Sequence, residues 1–495
     1  MILNRIQSYG IWVLMALVLA LYSSISLGNH SRFRTYGFDL GIKNQTLWYY
    51  SNGLFCTSSL ISELEKPDGN TVHILVNHFE IILIPLAPLI WITGSYTLLW
   101  IQALSLVLGG LGIYLIAKDR LNAISGLAIA LYFYTHWAVL SALGFDFHTN
   151  TLSASLFPWL WYALEKKRFA LFWLFALLML MCKETVAFWL FFVGIGFALT
   201  YRKTHQIRNQ ALMLSMTSLI WFLLVMIIIV PALGGKEVTY FHFQYSALGN
   251  NIGEALNTLV KKPFYAIKML WISPLEPGEF GYDYKLLFYS AMALSGGVVC
   301  WLYPSTLIMA FPLLAAKMWN DSPARWSPFF HYSVEMVPLM ALAIIELTAK
   351  IKPLFFKRAF VLLFVIAGLL TTRQSLRWYR AMDWARYGVD FMSPKHYSRS
   401  FDIYQLRQCL SEIPKDDAIA ANDFVIPHLA FRQKIYQLPV LKDAKWFVLV
   451  DDGRRYPDFF ESEALLETLL ATGEWETICS HNTQIRLLKK KTPIS

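Results

Sequence analysis

The sequence predicts an α-helical polytopic membrane protein of about eleven transmembrane helices, with a small C-terminal α/β soluble domain. Three observations predict it. The 495 residues are 56% hydrophobic and only 15% charged, whereas soluble domains carry about 25% charged residues. Apolar runs of membrane-spanning length fill residues 1–372. From 373 the charge rises and the apolar runs shorten.

The expected spans are 11–27, 95–117, 122–141, 149–164, 169–182, 184–200, 211–232, 285–302, 304–319, 331–349 and 354–371. A spanning helix needs roughly 20 apolar residues, so the shorter runs imply tilted or broken helices. Residues 1–28 have the character of a signal peptide but lack a small-residue cleavage site, and read as an uncleaved first helix. Basic clusters follow the second, fourth, sixth and tenth runs: Lys118 and Arg120, then Lys166, Lys167 and Arg168, then Arg202, Lys203 and Arg208, then Lys350, Lys352, Lys357 and Arg358. With the N-terminus inside, all four loops are cytoplasmic, as the excess of Lys and Arg in inner loops demands. The C-terminal domain is then outside, and the expected location is a multi-pass protein of the cytoplasmic (inner) membrane. The net charge of +10, from 43 basic and 33 acidic residues, is accordingly read as topology and contact with the lipid bilayer, with no nucleic-acid partner. The 18 Trp suit interfacial anchoring.

Two outer loops are long, 28–94 and 233–284. Within the first, 38–52 mixes apolar and polar residues at helical spacing and suits the membrane interface. The stretch 80–93 is shorter than a span and carries Pro85 and Pro88, which predicts a broken, re-entrant or interfacial helix. In the outer domain, 401–413 and 459–473 read as amphipathic helices, and 417–421, 434–438, 445–450 and 475–488 as strands. No nucleotide-binding glycine loop is present there, so no nucleotide cofactor is expected. VDDG at 450–453 reads as a strand end followed by a turn. Cys409 and Cys479 share this domain; they either pair in an oxidising compartment or remain two thiols.

The ionisable residues between the apolar runs are few, and the threading puts them all on the outer side: Asp39, His78, Glu80, Asp146, His148, Lys183, Glu184 and His331. Ionisable groups at membrane depth are costly, which makes them functional candidates. Asp39, in GFDLG, is either a helix N-cap or a general base. His78 and Glu80 form H-F-E; Asp146 and His148 form D-F-H. In extended chain, residues two apart project to one side. Each pair either binds a divalent cation or sugar hydroxyls, or ties down its own loop. Asp39, His78, Glu80, Asp146 and His148 are therefore the candidate metal ligands. Lys183-Glu184 interrupts an apolar stretch from 169 to 200. It is either a hairpin turn at the interface or a phosphate- and hydroxyl-binding pair. Arg325, His331 and Tyr332, at the entry to the tenth span, suit a phosphate, since Arg offers two parallel donors; the alternative is an aromatic belt with a snorkelling Arg.

The segments FDLGIKNQTLW, NHFEIILIPLAPLIWI, GFDFHTNTLSASLFPWLWYALEKKR, MCKETVAF and HYSVEMVPL resemble a family of bacterial predicted membrane proteins known as a domain of unknown function. The likeness extends over nearly the whole chain, including IAANDFVIPHLAFRQKIYQLP. That family in turn resembles the GT-C superfamily of membrane glycosyltransferases. The resemblance implies a polyprenyl-phosphate-linked sugar donor and a glycan, lipid or protein acceptor. It implies a catalytic carboxylate soon after the first span, the position of Asp39, and a second outer carboxylate, Asp146. Some members of the superfamily use a divalent metal and others do not. The expected activity is transfer of a sugar at the outer membrane face. His78, Glu80, His148, Lys183, Glu184, Arg325, His331 and Tyr332 would bind the substrates. A lipid or solute transporter (a flippase) and a non-enzymatic membrane scaffold are the alternatives. Clustering of the polar residues at one face, without two repeated halves, weighs against the transporter.

Overall fold

A computed structural model describes residues 2–55, 58–61, 73–234, 243–380, 390–453, 459–482 and 484–491. Parts of both long loops and of the C-terminal region, together with Cys56, lie outside the described residues. Two compact units are present. One comprises residues 1–23, 75–82 and 101–385; the other comprises 24–74, 83–100 and 386–495.

The first unit is helical. Every expected span in it coincides with helix, including Thr149–Glu165, Glu184–Thr200, Pro304–Met318, Met336–Lys350 and Leu354–Arg380. Among the described residues, four helical stretches are able, by length and composition, to cross a membrane: Tyr9–Ser31, Leu83–Arg120, His205–Gly234 and Leu354–Trp378. Ala123–Thr135 and Trp137–Gly144 make a fifth if they count as one span bent by 43°. Phe169–Leu180, Glu184–Thr200 and Pro304–Met318 are apolar but shorter. The bend has a local cause: His136 leaves the helical conformation and its Nδ1 accepts from the Ala138 N–H at 3.2 Å, capping the second helix.

The far ends of four helices in this unit meet in one polar cluster. Arg120, ending Thr97–Arg120, donates to Glu165 and to Glu346. Glu165 and Glu346 lie in the last turns of Thr149–Glu165 and Met336–Lys350. Tyr201, just past Glu184–Thr200, accepts from Arg120 at 3.1 Å and from Trp161 Nε1 at 2.7 Å. Loop charge alone assigned these four ends to one side, and they do share one side.

The second unit holds a five-stranded sheet in the order β2-β1-β3-β5-β4. β1 (Ile419–Ala421) runs parallel to β2 (Ile435–Gln437) and β3 (Trp446–Val450); β5 (Ile485–Lys490) runs antiparallel to β3 and to β4 (Trp475–His481). The strand-like runs expected within 475–488 form a hairpin of two strands. Ala420, Tyr436, Phe447, Leu449 and Leu488 pack on one face with Leu469 of the helix Phe459–Ala471. After β3 the chain turns as VDDG predicted, with the Gly453 N–H bonded to Asp451 Oδ1 at 2.8 Å. Cys409, on the helix Ile403–Ser411, is disulfide-bonded to Cys479 of β4, which decides between the two expectations for that pair.

The segment after the first helix belongs to this unit. Ser59 caps the edge of the sheet: its Oγ donates to the Ile435 carbonyl at 2.8 Å and accepts the Ile435 N–H at 2.9 Å. Gln45 donates to the carbonyls of Arg432 and Gln433, and Asn44 to that of Pro427. Residues 38–52 form a π-turn, Gly37–Gly41, leading into the helix Ile42–Ser51, whose polar residues Asn44, Gln45 and Thr46 are buried. The stretch 83–96 is a string of four short helical pieces, the break that Pro85 and Pro88 predicted.

Candidate active site

Seven of the eight intramembrane candidates, with Arg325 and Tyr332, fall in the first unit, at the ends of its helices opposite Arg120. Glu184 is the first residue of Glu184–Thr200, and Lys183 is its extended N-cap. His148 is the N-cap of Thr149–Glu165, and Glu335 that of Met336–Lys350. Helix N-termini present unpaired N–H groups and partial positive charge, so they favour anions.

The H-F-E segment is bound by distant partners. His78 Nδ1 donates to Glu184 Oε1 at 3.1 Å, and the Phe79 N–H donates to Glu184 Oε2 at 2.9 Å. Glu80 Oε1 accepts from Thr149 Oγ1 at 2.8 Å. His78 and Glu80 therefore link the starts of two helices, Glu184–Thr200 and Thr149–Glu165. Glu184 is fully buried, with its two carboxylate oxygens answered by two different donors.

The D-F-H segment is held through its backbone. The Gln102 amide donates to the Asp146 carbonyl at 2.8 Å and accepts the His148 N–H at 3.0 Å. Asp146 adopts a left-handed conformation, φ 66°, which Asp tolerates better than most residues. The turn sends His148 onto His331, their rings stacked with centroids 3.4 Å apart. Phe145 flanks both rings, 5.3 Å from each. Tyr332 lies 4.0 Å from His331 and is covered by the Arg325 guanidinium at 5.1 Å. Lys183, Arg325 and Lys317 all act electrostatically on His331. Among the described residues, the buried His331 Nδ1 finds no hydrogen-bond partner.

Sequence reasoning missed five contributors. Gln102, Thr149 and Asn150 are neutral residues within or beside apolar runs. Glu335 was read simply as part of HYSVEMVP, yet it is buried, accepts from Asn150 Nδ2 and interacts with Lys183 and Lys317. Lys317 lies within the expected span 304–319. Its Nζ donates to the Ser327 carbonyl at 2.8 Å and lies 4.7 Å from the Phe288 ring. The one usable signal was a lone amide in TLLWIQALS, because an unpaired amide in an apolar helix is costly.

Asp39 belongs to the second unit. It sits in the middle of the π-turn, half-buried, with Lys43 one turn further on. Burial raises its carboxyl to about 6, against the opposing pull of Lys43. The glycines around it have a packing reason. A Cβ on Gly37 would lie 3.0 Å from Gln437 Oε1, and one on Gly41 would lie 2.8 Å from Ile426 Cγ2. The turn carrying Asp39 is therefore pressed against the carboxyl ends of β1 and β2.

Among the described residues, no group of three or more His, Cys, Asp or Glu converges in a metal-holding arrangement. The expected ligands divide as described, His78 to Glu184, Glu80 to Thr149, and His148 to the ring of His331.

A family model of predicted membrane proteins, DUF2079, matches residues 29–485, and the chain belongs to that family. No curated protein matches it. Among solved structures the chain is similar to ArnT from Cupriavidus metallidurans bound to undecaprenyl phosphate, at 12% identity and TM-score 0.49, covering 97% of this chain and 98% of that one. It is also similar to the Archaeoglobus fulgidus oligosaccharyltransferase tethered with an acceptor peptide, at 13% identity and TM-score 0.42, covering 94% and 69%. A third similarity is to AglB from the same organism in complex with an inhibitory peptide and a dolichol-phosphate, at 12% identity and TM-score 0.38, covering 90% and 70%.

Proposed function

We propose that the protein is a membrane glycosyltransferase that moves a sugar from a polyprenyl-phosphate donor to an acceptor hydroxyl or amide at the outer membrane face. The observation that carries the reading is the convergence of Lys183, Arg325, His148, His331, Glu80, Glu184 and Glu335 at the N-terminal ends of membrane helices. Cations and helix N-termini suit a phosphate, and buried carboxylates suit sugar hydroxyls. The position of Asp39, soon after the first span, is where the resemblance to GT-C enzymes implies a catalytic carboxylate, and supplies the base.

In the proposed reaction, Asp39 takes the proton of the acceptor group as the acceptor atom bonds to the anomeric carbon. The bond from that carbon to the phosphate oxygen breaks, and the polyprenyl phosphate leaves with the electron pair. Its charge is met by Lys183, Arg325 and His331. Positive groups fixed where negative charge develops are the main electrostatic source of rate. Glu80, Glu184, Asp146 and His78 orient the sugar. A divalent metal on the H-F-E and D-F-H segments is the alternative source of positive charge.

The test is turnover of radiolabelled polyprenyl-phosphate sugars by the purified protein beside Asp39→Asn, with and without EDTA. Asp39→Asn should lose about 10²–10⁴-fold in turnover, the usual share of a general base, while folding normally. Wild-type turnover in that variant would remove Asp39 from the role. The Asp39 carboxyl at about 6 sets the sign of the pH dependence: it is a base only when ionised, so kcat should fall as pH drops through about 6. EDTA should abolish turnover only if a metal supplies the charge. Donor that binds but is never consumed with any acceptor would favour a flippase.

A further inference from the structure

The helices Ile252–Lys261 and Pro263–Trp271 lie between the expected seventh and eighth spans, and nothing in the proposed reaction uses them. Both are built to present one face and bury the other. Asn251 caps the first by accepting the Glu254 N–H at 3.0 Å, and Glu254 reaches back to the Asn250 N–H at 2.8 Å, a reciprocal capping arrangement. Pro263 opens the second at a position where its missing N–H costs nothing.

Their inner faces are fixed to the first unit by packing and by polar ties. Ala255 and Ala266 are buried with Leu248, against Phe243, Leu259 and Trp319. Trp319 Nε1 donates to the Ala266 carbonyl at 2.9 Å, and Tyr289 Oη to that of Leu270 at 2.8 Å. Lys285 Nζ takes the carbonyls of Met269 and Ile272, at 2.6 and 3.0 Å, which satisfies the end of the second helix.

The outer face is apolar and in the open. Ile252, Leu256 and Val260 repeat every fourth residue, a single stripe on the first helix. Phe264, Ile267 and Trp271 continue it on the second. Val260 is 79% exposed and Phe264 86% exposed, values unusual for such side chains in water. Lys261, Lys262 and Lys268 are exposed beside this stripe. At its end Trp271 stacks on Tyr289, with centroids 4.4 Å apart, and lies 5.9 Å from Trp301, itself exposed with Leu302. The stripe thus continues onto the apolar surface of the membrane unit.

We infer that these two helices form an interfacial foot, lying in the bilayer surface with the stripe among acyl chains and the three lysines against anionic lipid headgroups. A strongly amphipathic helix with basic residues flanking its apolar face is the form that binds such an interface. Charge complementarity and continuity with the lipid-facing surface select the bilayer over a soluble partner. The inference does not rest on the glycosyltransferase reading.

The test is nitroxide labelling of Val260→Cys and Phe264→Cys in the full-length protein, reconstituted in phosphatidylcholine bilayers with and without phosphatidylglycerol. Asn257→Cys, on the polar side of the first helix, is the water-facing control. Labels at 260 and 264 should be several-fold more accessible to oxygen than to a water-soluble nickel chelate, and the label at 257 the reverse. Lys261→Glu with Lys262→Glu and Lys268→Glu should make the labels at 260 and 264 shallower only in bilayers containing phosphatidylglycerol. Labels at 260 and 264 as open to nickel as the one at 257 would overturn the inference. So would labels shielded from both reagents, since that places protein on the stripe.

Discussion

The two ends of one helix set handle the same problem in opposite ways. At one end Arg120 meets Glu165, Glu346, Tyr201 and Trp161 in a closed network, in which each charged group has an opposite partner. At the other end, charges and imidazoles crowd together with polar atoms left over. Among the described residues, His331 Nδ1, Thr151 Oγ1 and Ser333 Oγ are buried there without a hydrogen bond, as are Ser125 Oγ and Thr348 Oγ1 near the Arg120 end; what sets the second end apart is that Lys183, Arg325 and Lys317 all bear on His331. Buried polar groups cost free energy unless paired. The Arg120 end pairs its charges within the protein, while the other end gathers cations around His331, as the proposed phosphate site requires.

The largest expected effect tests the closed end. Arg120→Ala leaves two carboxylates with little solvent and no cation, and should cost about 3 kcal/mol, the low end for breaking an internal ion pair, since the three side chains keep some exposure. Thermal unfolding in detergent reads the loss. Turnover per folded molecule should be unchanged, because the network is a full helix length from the candidate site. A stable but inactive Arg120→Ala would break the comparison, since the two ends would then share a role.

The complementary substitution is Lys183→Met. Losing a charge-assisted hydrogen bond to phosphate costs about 1.5–3 kcal/mol, or roughly ten- to a hundredfold in donor affinity. It should appear in KM for the lipid-phosphate sugar, with no fall in melting temperature. A variant that unfolds early with unaltered donor affinity would make Lys183 a structural partner of Glu335, and the two ends would become alike.

Much of this was legible in the sequence because the bilayer enforces simple rules. Runs such as 184–200 and 304–319 are helical because every backbone group in lipid must bond within its own segment. The four helix ends that loop charge grouped together meet in one cluster. What could not be read were interruptions and neutral polar residues. His136 breaks the run 122–141 because its side chain caps the following helix, and apolar periodicity carries no trace of that. Gln102 clasps the D-F-H turn, yet among apolar neighbours it looked like an ordinary tolerated amide. H-F-E and D-F-H stand out in the sequence, but partners lie far away in it: Glu184 is 106 residues from His78, and Glu80 is 69 residues from Thr149. Spacing alone suggests local pairs. Only packing reveals remote ones.

The smallest expected effect concerns Asp39, where packing instead of charge does the positioning. In the Arg120 cluster, opposite charges fix geometry. In GFDLG, the absence of side chains fixes it, for Gly41 leaves room for Ile426 and no more. Gly41→Ala should force its Cβ against Ile426 Cγ2 and cost about 1–2 kcal/mol, the usual penalty of overpacking. Ile426→Ala removes that methyl, so the double variant Gly41→Ala with Ile426→Ala should recover stability relative to the sum of the two single changes. The cycle isolates the contact, because the two residues touch directly. If turnover follows the same pattern, lost in Gly41→Ala and regained in the double variant, then packing against the sheet domain positions Asp39. Additive stability losses with no recovery would show instead that Gly41 is required for a reason other than its contact with Ile426.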